Sequence, residues 1–327
     1  MLRRLSAAEE RWPLAGAFVI SRGTKTQAEV VVAELSQGEV RGRGECTPYS
    51  RYDETPASVL AQIAGVRPAI EGGGGRAELQ ALLAPGAARN ALDCALWDLE
   101  AKLAGERAFR LAGRTRLDPV KTAYTLSLGP PDQMAKAAAQ AARRPMLKLK
   151  LGAPGDLERV QAVREAAPRT RLIVDANEGW DFATLETLAP ELARLDVMLI
   201  EQPLKAGDDA VLEGYDSPVP VCADESLHTR AELPDCARRY GCINIKLDKA
   251  GGLTEALALA AEARAMGLEI MIGSMVATSL SMAPALILAQ GADFVDLDGP
   301  LLLARDREPG LVYLGSMIEP PPPELWG

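Results

Sequence analysis

The sequence predicts an α/β protein in which a (β/α)7β-type TIM barrel carries a smaller α+β domain. Three observations support this fold class. From about residue 121 to residue 300, short apolar runs alternate with helical patterns. Several of these runs end on a charged residue and then break into polar or glycine-rich chain, as buried parallel strands do at their C-terminal ends. The preceding part of the chain instead shows alternating strands followed by helices.

The N-terminal domain, predicted over residues 1–118, begins with strand patterns. Residues 18–20 and 28–35 alternate as antiparallel strands do, and the polar stretch 21–26 is expected to be the loop between them. A third strand leads into residues 46–52, where a proline and two tyrosines favour a second loop. Helical spacing then predicts helices over residues 57–66 and 87–103.

The barrel is predicted over residues 119–300. Eight strands with seven intervening helices make a closed barrel the simplest arrangement. The tail, residues 301–327, contains four consecutive prolines, cannot be helical there and is expected to return to the first domain. The predicted barrel strands are 122–128, 147–152, 172–177, 197–202, 221–225, 242–247, 269–274 and 294–297.

The composition is that of a globular protein and argues against two kinds of partner. Of the 327 residues 48% are hydrophobic and 25% are charged, and no apolar run approaches membrane-spanning length. A net charge of -9 and a pI near 5.0 disfavour nucleic acid and anionic membranes, which require a basic face. Residues 1–11 lack the apolar core of a signal peptide, so a cytoplasmic location is expected. The five cysteines show no paired spacing, and neither disulfides nor a zinc site are expected.

Three carboxylates end consecutive strands. Asp175 precedes Glu201 by 26 residues, and Glu201 precedes Asp224 by 23, which leaves room for one βα unit each time. In a barrel the C-terminal strand ends form one ring, so the three side chains converge. An all-oxygen donor set without histidines suits a hard divalent cation such as Mg²⁺. A single Asp after a strand is usually a helix cap or an ion-pair partner, but three in consecutive units make that interpretation improbable.

Three lysines lie on the same ring. Lys148 and Lys150 alternate with leucines, so both ammonium groups are expected to point into the barrel mouth. Their repulsion and partial desolvation are expected to lower a lysine pKa and to supply a neutral amine as a base. Lys246 comes four strands after Lys150, half-way round the barrel, so the two amines can approach one carbon from opposite faces.

These six residues together resemble the muconate-lactonizing subgroup of the enolase superfamily, over essentially the whole chain. The sequence Asp296-Leu297-Asp298 in the last strand resembles the Asp-x-Asp signature of the L-Ala-D/L-Glu epimerases of that subgroup. Residues 18–23, 44–49, 87–93 and 245–255 also resemble that family. The resemblance implies that the N-terminal domain and the tail form a two-part capping domain over the barrel.

The resemblance also implies a role for each residue. Lys150 and Lys246 would be the acid/base catalysts, and Lys148 would tune Lys150 near the substrate carboxylate. One Mg²⁺ per subunit would be held by Asp175, Glu201 and Asp224. Asp296 and Asp298 would bind the free ammonium of a dipeptide, and Arg22 could clamp a glutamate side chain by a bidentate contact.

Other positions are expected at the pocket wall. Ser274 and Met275 end the seventh strand and are expected to line the pocket, and Tyr52, with Tyr49, either closes over the substrate or packs. His228, the only histidine, is expected to order the loop after the fifth strand.

The function implied is Mg²⁺-dependent epimerisation of the Glu α-carbon of L-Ala-D-Glu to L-Ala-L-Glu, a step in murein peptide recycling. Alternatives of the same subgroup are epimerisation of other dipeptides, N-acylamino acid racemisation and o-succinylbenzoate synthesis. The two acidic residues of the last strand oppose the latter two, whose substrates lack a free ammonium. A non-catalytic metal- or peptide-binding barrel is the alternative from a different class. The oligomeric state is left open, with a homo-oligomer among the options.

Overall fold

The chain folds into a parallel barrel and an antiparallel domain that covers one of its ends. The structure, a computed structural model, describes residues 3–327, so Met1 and Leu2 of the predicted N-terminal domain lie outside the described residues. The N-terminal elements are β1 (Arg3–Ile20), β2 (Gly23–Gln37), β3 (Val40–Cys46), α1 (Pro56–Glu71), α2 (Arg76–Leu82), α3 (Ala87–Ala104) and α4 (Ala108–Leu111). Strands β1, β2 and β3 form one antiparallel sheet in that order.

The barrel and the tail follow in the chain. Their elements are β4 (Val120–Lys121), β5 (Tyr124–Leu126), α5 (Pro131–Ala141), β6 (Met146–Lys150), α6 (Asp156–Ala166), β7 (Arg171–Asp175), α7 (Phe182–Arg194), β8 (Val197–Glu201), β9 (Val221–Ala223), α8 (Leu233–Arg239), β10 (Cys242–Ile245), α9 (Leu247–Ala250), α10 (Leu253–Ala265), β11 (Glu269–Gly273), α11 (Ser279–Ala289), β12 (Phe294–Asp296), α12 (Gly299–Leu302), β13 (Tyr313–Leu314) and β14 (Met317–Ile318). Strands β13, β14 and β4 form a small third sheet.

Eight parallel strands, β5 to β12, pair in sequence order. The Ala123 N–H donates to the Val295 carbonyl at 2.8 Å across the remaining seam, so the sheet curls into a nearly closed barrel. The predicted fold class, a TIM-type barrel with a capping domain, is confirmed. None of the helices found among residues 3–327 is both long and apolar enough to cross a membrane.

Two details differ from the sequence-based expectation. The predicted loop over residues 21–26 is much shorter, because β1 runs to Ile20 and β2 resumes at Gly23. The crossover between β8 and β9 contains a 3₁₀ turn at Asp209–Leu212 in place of an α-helix. Its chain is interrupted by prolines and glycines, which do not sustain an α-helix; these are Pro203, Gly207, Gly214, Pro218 and Pro220.

The inside of the barrel is built in layers. A buried apolar layer lies near the N-terminal ends, with one residue from each of β6 to β12 and Ala123 directly before β5; its members are Ala123, Met146, Ile173, Leu199, Cys222, Cys242, Met271 and Phe294. Side chains two positions apart in a strand point to the same face, so the next layer holds the residue two positions later in every strand. That second layer is polar apart from one glycine: Thr125, Lys148, Asp175, Glu201, Asp224, Asn244, Gly273 and Asp296.

The capping domain and the tail pack closely around α3. A Cβ at Gly44 of β3 would lie 2.1 Å from the Ala91 carbonyl oxygen of α3, so only glycine lets the sheet approach this helix so closely. The end of the tail contacts the same helix. Trp326 is 1% exposed and its Nε1 donates to the Cys94 carbonyl at 3.1 Å, while the Gly327 N–H donates to Asp98 Oδ1 at 2.7 Å.

Candidate active site

The polar layer of the barrel is a connected ion network. Lys148 is 1% exposed, and its Nζ lies 2.7 Å from Asp296 Oδ2, 2.5 Å from Glu201 Oε2 and 3.2 Å from Asp175 Oδ2. One ammonium group therefore contacts carboxylates from three strands. The pairing of β7 with β8 places Asp175 directly beside Glu201, so the three carboxylates share a single lysine.

The other two predicted catalytic lysines each contact one carboxylate. Lys150 Nζ donates to Asp175 Oδ2 at 2.6 Å, and Lys246 Nζ donates to Asp224 Oδ2 at 2.6 Å. Lys150 ends β6, and Lys246 directly follows β10. Three strands separate β6 from β10 in either direction around the barrel, so the two amines enter the same space from opposite sides.

The predicted metal ligands lie together in the same layer. Asp175, Glu201 and Asp224 are at most 2% exposed and come from adjacent strands. Within residues 3–327, no group of three or more Asp, Glu, His or Cys side chains has the geometry of an assembled metal site, since lysine ammonium groups contact all three carboxylates. Three buried carboxylates without a histidine are the donor set that fits a hard divalent cation.

Electrostatics around the lysines differ from the sequence-based expectation of a lowered lysine pKa. Burial opposes the charge on Lys148, but Asp296, Glu201 and Asp175 outweigh it and hold its pKa well above the usual range. For Lys246, burial is likewise outweighed by Asp224 and Glu201, so its pKa is also raised. The expectation counted the neighbouring cation and partial desolvation, whereas the nearest charges in the folded barrel are carboxylates.

The same contacts shift the pKa values of the three carboxyl groups in different directions. Burial would raise the pKa of Asp175, but Lys150 and Lys148 lower it to about 2. The pKa of Asp224 lies well below its usual value because Lys246 and Lys249 outweigh burial. Burial and the Asp175 charge raise the pKa of Glu201, which makes it the least acidic of the three.

The two acidic residues predicted to bind an ammonium group are held differently. Asp296 faces Lys148, as described above, and Asp298 Oδ2 accepts a hydrogen bond from the Thr125 N–H at 2.6 Å. Burial, reinforced by the charge on Asp296, raises the pKa of Asp298 to about 7. Asp296 therefore belongs to the lysine network, whereas Asp298 follows it by two residues and bonds the backbone of β5 across the seam.

A cavity of about 330 Å³ opens above this network, between the barrel and the capping domain. Lys150, Lys246 and Asp224 lie among its lining residues, and Ser274, Met275 and Tyr52 border it as the sequence predicts. Tyr52 stacks edge-on against Tyr49 on one side, with ring centroids 5.4 Å apart, and against His228 on the other, at 4.4 Å. His228 thus supports the cap loop from the barrel side.

Arg22 of the capping domain reaches down to the barrel loops. Its guanidinium donates to Glu225 Oε1 at 2.6 Å, to Glu178 Oε2 at 3.0 Å and to the Asn177 carbonyl at 2.7 Å. A further bond joins it to the Tyr49 hydroxyl at 2.9 Å. Arg22 borders the cavity and closes the capping domain onto the barrel.

Three residues that organise the polar layer were missed by sequence reasoning. Lys249 Nζ lies 2.6 Å from Asp224 Oδ1, and Asn244 Nδ2 donates to Glu201 Oε1 at 2.8 Å. Gln202, with a left-handed φ of 32°, accepts from the Asp224 N–H at 2.7 Å and donates to the Ser226 and Tyr240 hydroxyls. Asn244 could have been found from its position two residues before Lys246, whereas no local pattern indicates the other two.

A nearly closed parallel barrel, covered at its C-terminal end and lined there by opposed lysines and acidic residues, defines an enolase-type barrel protein. The chain matches the family described as Mandelate racemase / muconate lactonizing enzyme, N-terminal domain, over residues 3–113, and Enolase C-terminal domain-like over residues 133–302. It belongs to this family of the enolase superfamily. The prediction of an isomerase from this superfamily is confirmed.

Three individual proteins similar to this chain are epimerases, racemases or relatives of them. The chain is 51% identical to the L-Ala-D/L-Glu epimerase of Escherichia coli (strain K12), over 95% of this chain and 98% of the relative. It is 43% identical to an N-acetyl-D-glutamate racemase from Pseudoalteromonas sp, over 91% and 95% of the two chains. Its fold superposes with a TM-score of 0.98, at 53% identity over 99% and 100% of the chains, on an enolase family member from Agrobacterium tumefaciens with homology to dipeptide epimerases, solved with bound sodium and L-Ala-L-Glu.

Proposed function

We propose that this protein epimerises the Glu α-carbon of L-Ala-D-Glu to give L-Ala-L-Glu by transferring protons between two lysines. The observation that carries the proposal is that Lys150 and Lys246, from opposite sides of the barrel, line one cavity together with Asp224. Inversion of a carbon requires a proton to leave one face and another to arrive on the opposite face, and two opposed amines provide both groups. The identity of 51% to an L-Ala-D/L-Glu epimerase supports the choice of substrate.

Mg²⁺ is the proposed cofactor, with Asp175, Glu201 and Asp224 as its ligands. When bound, the ion would stabilise the negative charge that develops on the substrate carboxylate as the α-proton leaves. The all-oxygen, histidine-free donor set is the support for this assignment.

The protein's own groups carry the remaining steps. A neutral amine, on Lys150 or Lys246 depending on the direction of reaction, accepts the α-proton, so the C–H bond breaks and an N–H bond forms. The ammonium of the other lysine donates its proton to the opposite face of the resulting enediolate, which restores a C–H bond of inverted configuration. Lys148 would orient the substrate carboxylate. Asp296 and Asp298 would hold the free ammonium of the N-terminal alanine.

The remaining site assignments belong to the same proposal. Ser274, Met275 and Tyr52 form the pocket wall, and Arg22 closes the pocket at the glutamate end. The same proposal places the product in murein peptide recycling in the cytoplasm.

The test is proton exchange in D₂O with Mg²⁺ and L-Ala-D-Glu, followed by NMR. Deuterium should appear at the glutamate α-carbon of both epimers. Lys150→Ala and Lys246→Ala should each lower inversion by about 10²- to 10⁴-fold, while each variant still exchanges the epimer served by its remaining lysine. Lys121→Ala, an exposed lysine near the opposite end of the barrel, is the control. Inversion at the wild-type rate in either active-site variant would exclude the two-lysine assignment.

N-acylamino acid racemisation is the second candidate, favoured by the 43% identity to an N-acetyl-D-glutamate racemase. Lys148 already pairs with Asp296, which leaves less negative charge for a substrate ammonium. Comparing kcat/KM for L-Ala-D-Glu and N-acetyl-D-glutamate decides between them. A higher value for the dipeptide supports the primary proposal, and a higher value for the acylated amino acid rejects it.

A further inference from the structure

Lys150, on one side of the barrel, shares its aspartate with a second lysine that is fully buried. Asp175 Oδ2 lies 2.6 Å from Lys150 Nζ and 3.2 Å from Lys148 Nζ. Lys150 lines the cavity, whereas Lys148 is 1% exposed and lies outside the lining. Because one carboxylate pairs with both ammonium groups, the buried lysine helps to fix the position of the lysine in the cavity.

The same arrangement recurs on the opposite side of the barrel. Asp224 Oδ2 lies 2.6 Å from Lys246 Nζ, and its Oδ1 lies 2.6 Å from Lys249 Nζ. Lys246 lines the cavity, whereas the side chain of Lys249 is 1% exposed and lies outside the lining. Each lysine that is proposed to transfer a proton therefore has a partner aspartate and, behind that aspartate, a buried lysine.

Lys249 has no hydrogen left for a substrate. Besides its contact with Asp224 Oδ1, its ammonium donates to the Asn244 carbonyl at 3.0 Å and to the backbone carbonyl of Asp224. A lysine ammonium carries three donors, and these three acceptors use all of them. Since Lys249 binds one carboxylate oxygen of Asp224, the other oxygen is left facing Lys246.

A short helix brings the two lysines to one carboxylate. Lys246 directly precedes α9 and Lys249 lies three residues later, a separation that places side chains on the same face of a helix. Arg89 of α3 holds the C-terminal end of this helix. Its guanidinium donates to the Ala250 carbonyl at 2.7 Å and to the Gly251 carbonyl at 3.1 Å. The element that carries Lys249 is therefore anchored to the capping domain.

We propose that Lys249 positions Lys246 for proton transfer by holding Asp224 between them. This inference rests on the proposed two-lysine function and adds a positioning residue to it. A misplacement of about 1 Å can cost a reacting group about a hundredfold in rate. Loss of Lys249 should consequently impair the face of the carbon that Lys246 serves and spare the face that Lys150 serves, whereas a general loss of stability would affect both.

The test is solvent exchange at each face, measured by NMR in D₂O with each epimer in turn as the substrate. Lys246→Ala identifies the epimer that Lys150 serves, because only that epimer still exchanges. Lys249→Met should lower exchange of the other epimer by about tenfold to a hundredfold, mainly through kcat. Exchange of the epimer that Lys150 serves should stay within about threefold of wild type. Mg²⁺ is kept saturating for every variant, at concentrations set by calorimetric titration.

Two variants serve as controls. Lys102→Met also removes an ammonium from a buried aspartate, Asp98, which it contacts at 2.9 Å, but this pair lies on α3 of the capping domain. It should leave the ratio of the two exchange rates unaltered. Lys249→Arg keeps a cation beside Asp224 and should return the ratio to within about threefold of the wild-type value.

A crystal structure of Lys249→Met gives a readout that does not depend on turnover. The Asp224 carboxylate should be rotated and the Lys246 ammonium displaced from it, while the contact of Lys150 with Asp175 at 2.6 Å remains. Equal slowing of both faces, an unmoved Lys246 or a loss of Mg²⁺ binding would overturn the inference.

A second variant covers the case in which Lys249→Met does not fold. Lys249→Gln keeps a neutral donor near Asp224 and must show the same one-sided loss of exchange, and an equal loss at both faces overturns the inference in the same way. Failure of the proposed function itself would instead appear as no exchange of either epimer by the wild-type protein.

Discussion

The two inner layers of the barrel use the same eight strands for opposite purposes. The layer that includes Met271 and Cys222 is apolar and fully buried. The layer two residues further along each strand carries one lysine and four carboxylates that are equally buried. Burial stabilises the first layer by removing apolar surface from water, whereas it opposes folding in the second unless each charge is matched. The comparison shows that the residues that stabilise the barrel and the residues proposed to act on the substrate lie only two positions apart in each strand.

The largest effect is expected when one charge is removed from the polar layer. Asp224→Asn leaves Lys246 and Lys249 facing a neutral amide and deletes a proposed Mg²⁺ ligand. We expect epimerase activity to fall roughly a thousandfold or more, because metal stabilisation of the reacting carboxylate is worth several kcal/mol. EDTA-treated wild-type protein should recover activity with Mg²⁺, and the variant should not.

Calorimetric titration with Mg²⁺ provides the direct measurement of this loss. Asp216→Asn, an exposed aspartate in the loop before β9, serves as the matched control and should bind the ion as the wild type does. Unchanged Mg²⁺ affinity in Asp224→Asn would remove this residue from the ligand set.

The opposite change is made in the apolar layer. Met271 is 0% exposed, and Met271→Ala should lower the free energy of unfolding by about 2 to 5 kcal/mol, through lost burial and the cavity left behind. Urea denaturation measures the effect. Met266→Ala, at a side chain that is 48% exposed, should change stability by less than about 0.5 kcal/mol.

The division between the layers also fixes what Met271→Ala should leave intact. We expect its Mg²⁺ affinity to stay within about threefold of wild type, because additivity holds for groups that share no partner. A parallel loss of Mg²⁺ binding would show that the layers are not separable.

Gln202 tests how the polar layer is kept in place. Its side chain links the ends of β8 and β9 by bonding the Asp224 N–H, the Ser226 hydroxyl and the Tyr240 hydroxyl. Gln202→Ala should cost about 2 to 3 kcal/mol in unfolding free energy, since several buried groups lose their partner. It should also weaken Mg²⁺ binding, in contrast to Met271→Ala, although Gln202 is not a proposed ligand. A variant that is destabilised but binds Mg²⁺ normally would restrict Gln202 to a folding role.

The smallest expected effect concerns pH and lies outside both layers. Burial, together with the nearby Lys249 charge, lowers the pKa of His228 to about 4. An unfolded chain takes up this proton near pH 6.5, so the stabilising contribution is complete above that pH and is lost as the pH falls toward 4. His228→Phe keeps the aromatic contact with Tyr52 and should remove roughly 1 kcal/mol of the pH dependence between pH 7 and pH 5. Urea denaturation at pH 7 and pH 5 measures the change in unfolding free energy between the two pH values. An equal change in the wild type and in His228→Phe would refute the prediction.

Much of the barrel, and the positions of its charged residues on the strands, was predictable because both depend on local sequence patterns. Alternation placed Lys148 and Lys150 on one face, and the spacing of Asp175, Glu201 and Asp224 assigned them to consecutive strands. Those rules depend only on strand geometry and on the convergence of strand ends in a barrel.

The contacts that were missed depend on distance in sequence or on unusual backbone. Arg22 and Glu225 are 203 positions apart, and no pattern in either segment indicates their pairing. Gln202 bonds the end of the neighbouring strand from a left-handed backbone conformation, and single-sequence rules anticipate neither feature. The raised pKa of Lys148 was missed for the same reason, since it depends on which carboxylates meet Lys148 once the barrel closes.

The apolar layer also affects how the protons of the lysine ammonium groups exchange with water. Met146, Met271 and Phe294 fill the N-terminal half of the barrel interior, so the barrel is closed at that end. On the other side the lysines line the cavity that the β1–β2 hairpin, Tyr49 and Tyr52 border. The rate at which a deuterium or tritium label is lost from an ammonium group during turnover should therefore report how readily water exchanges through this cavity.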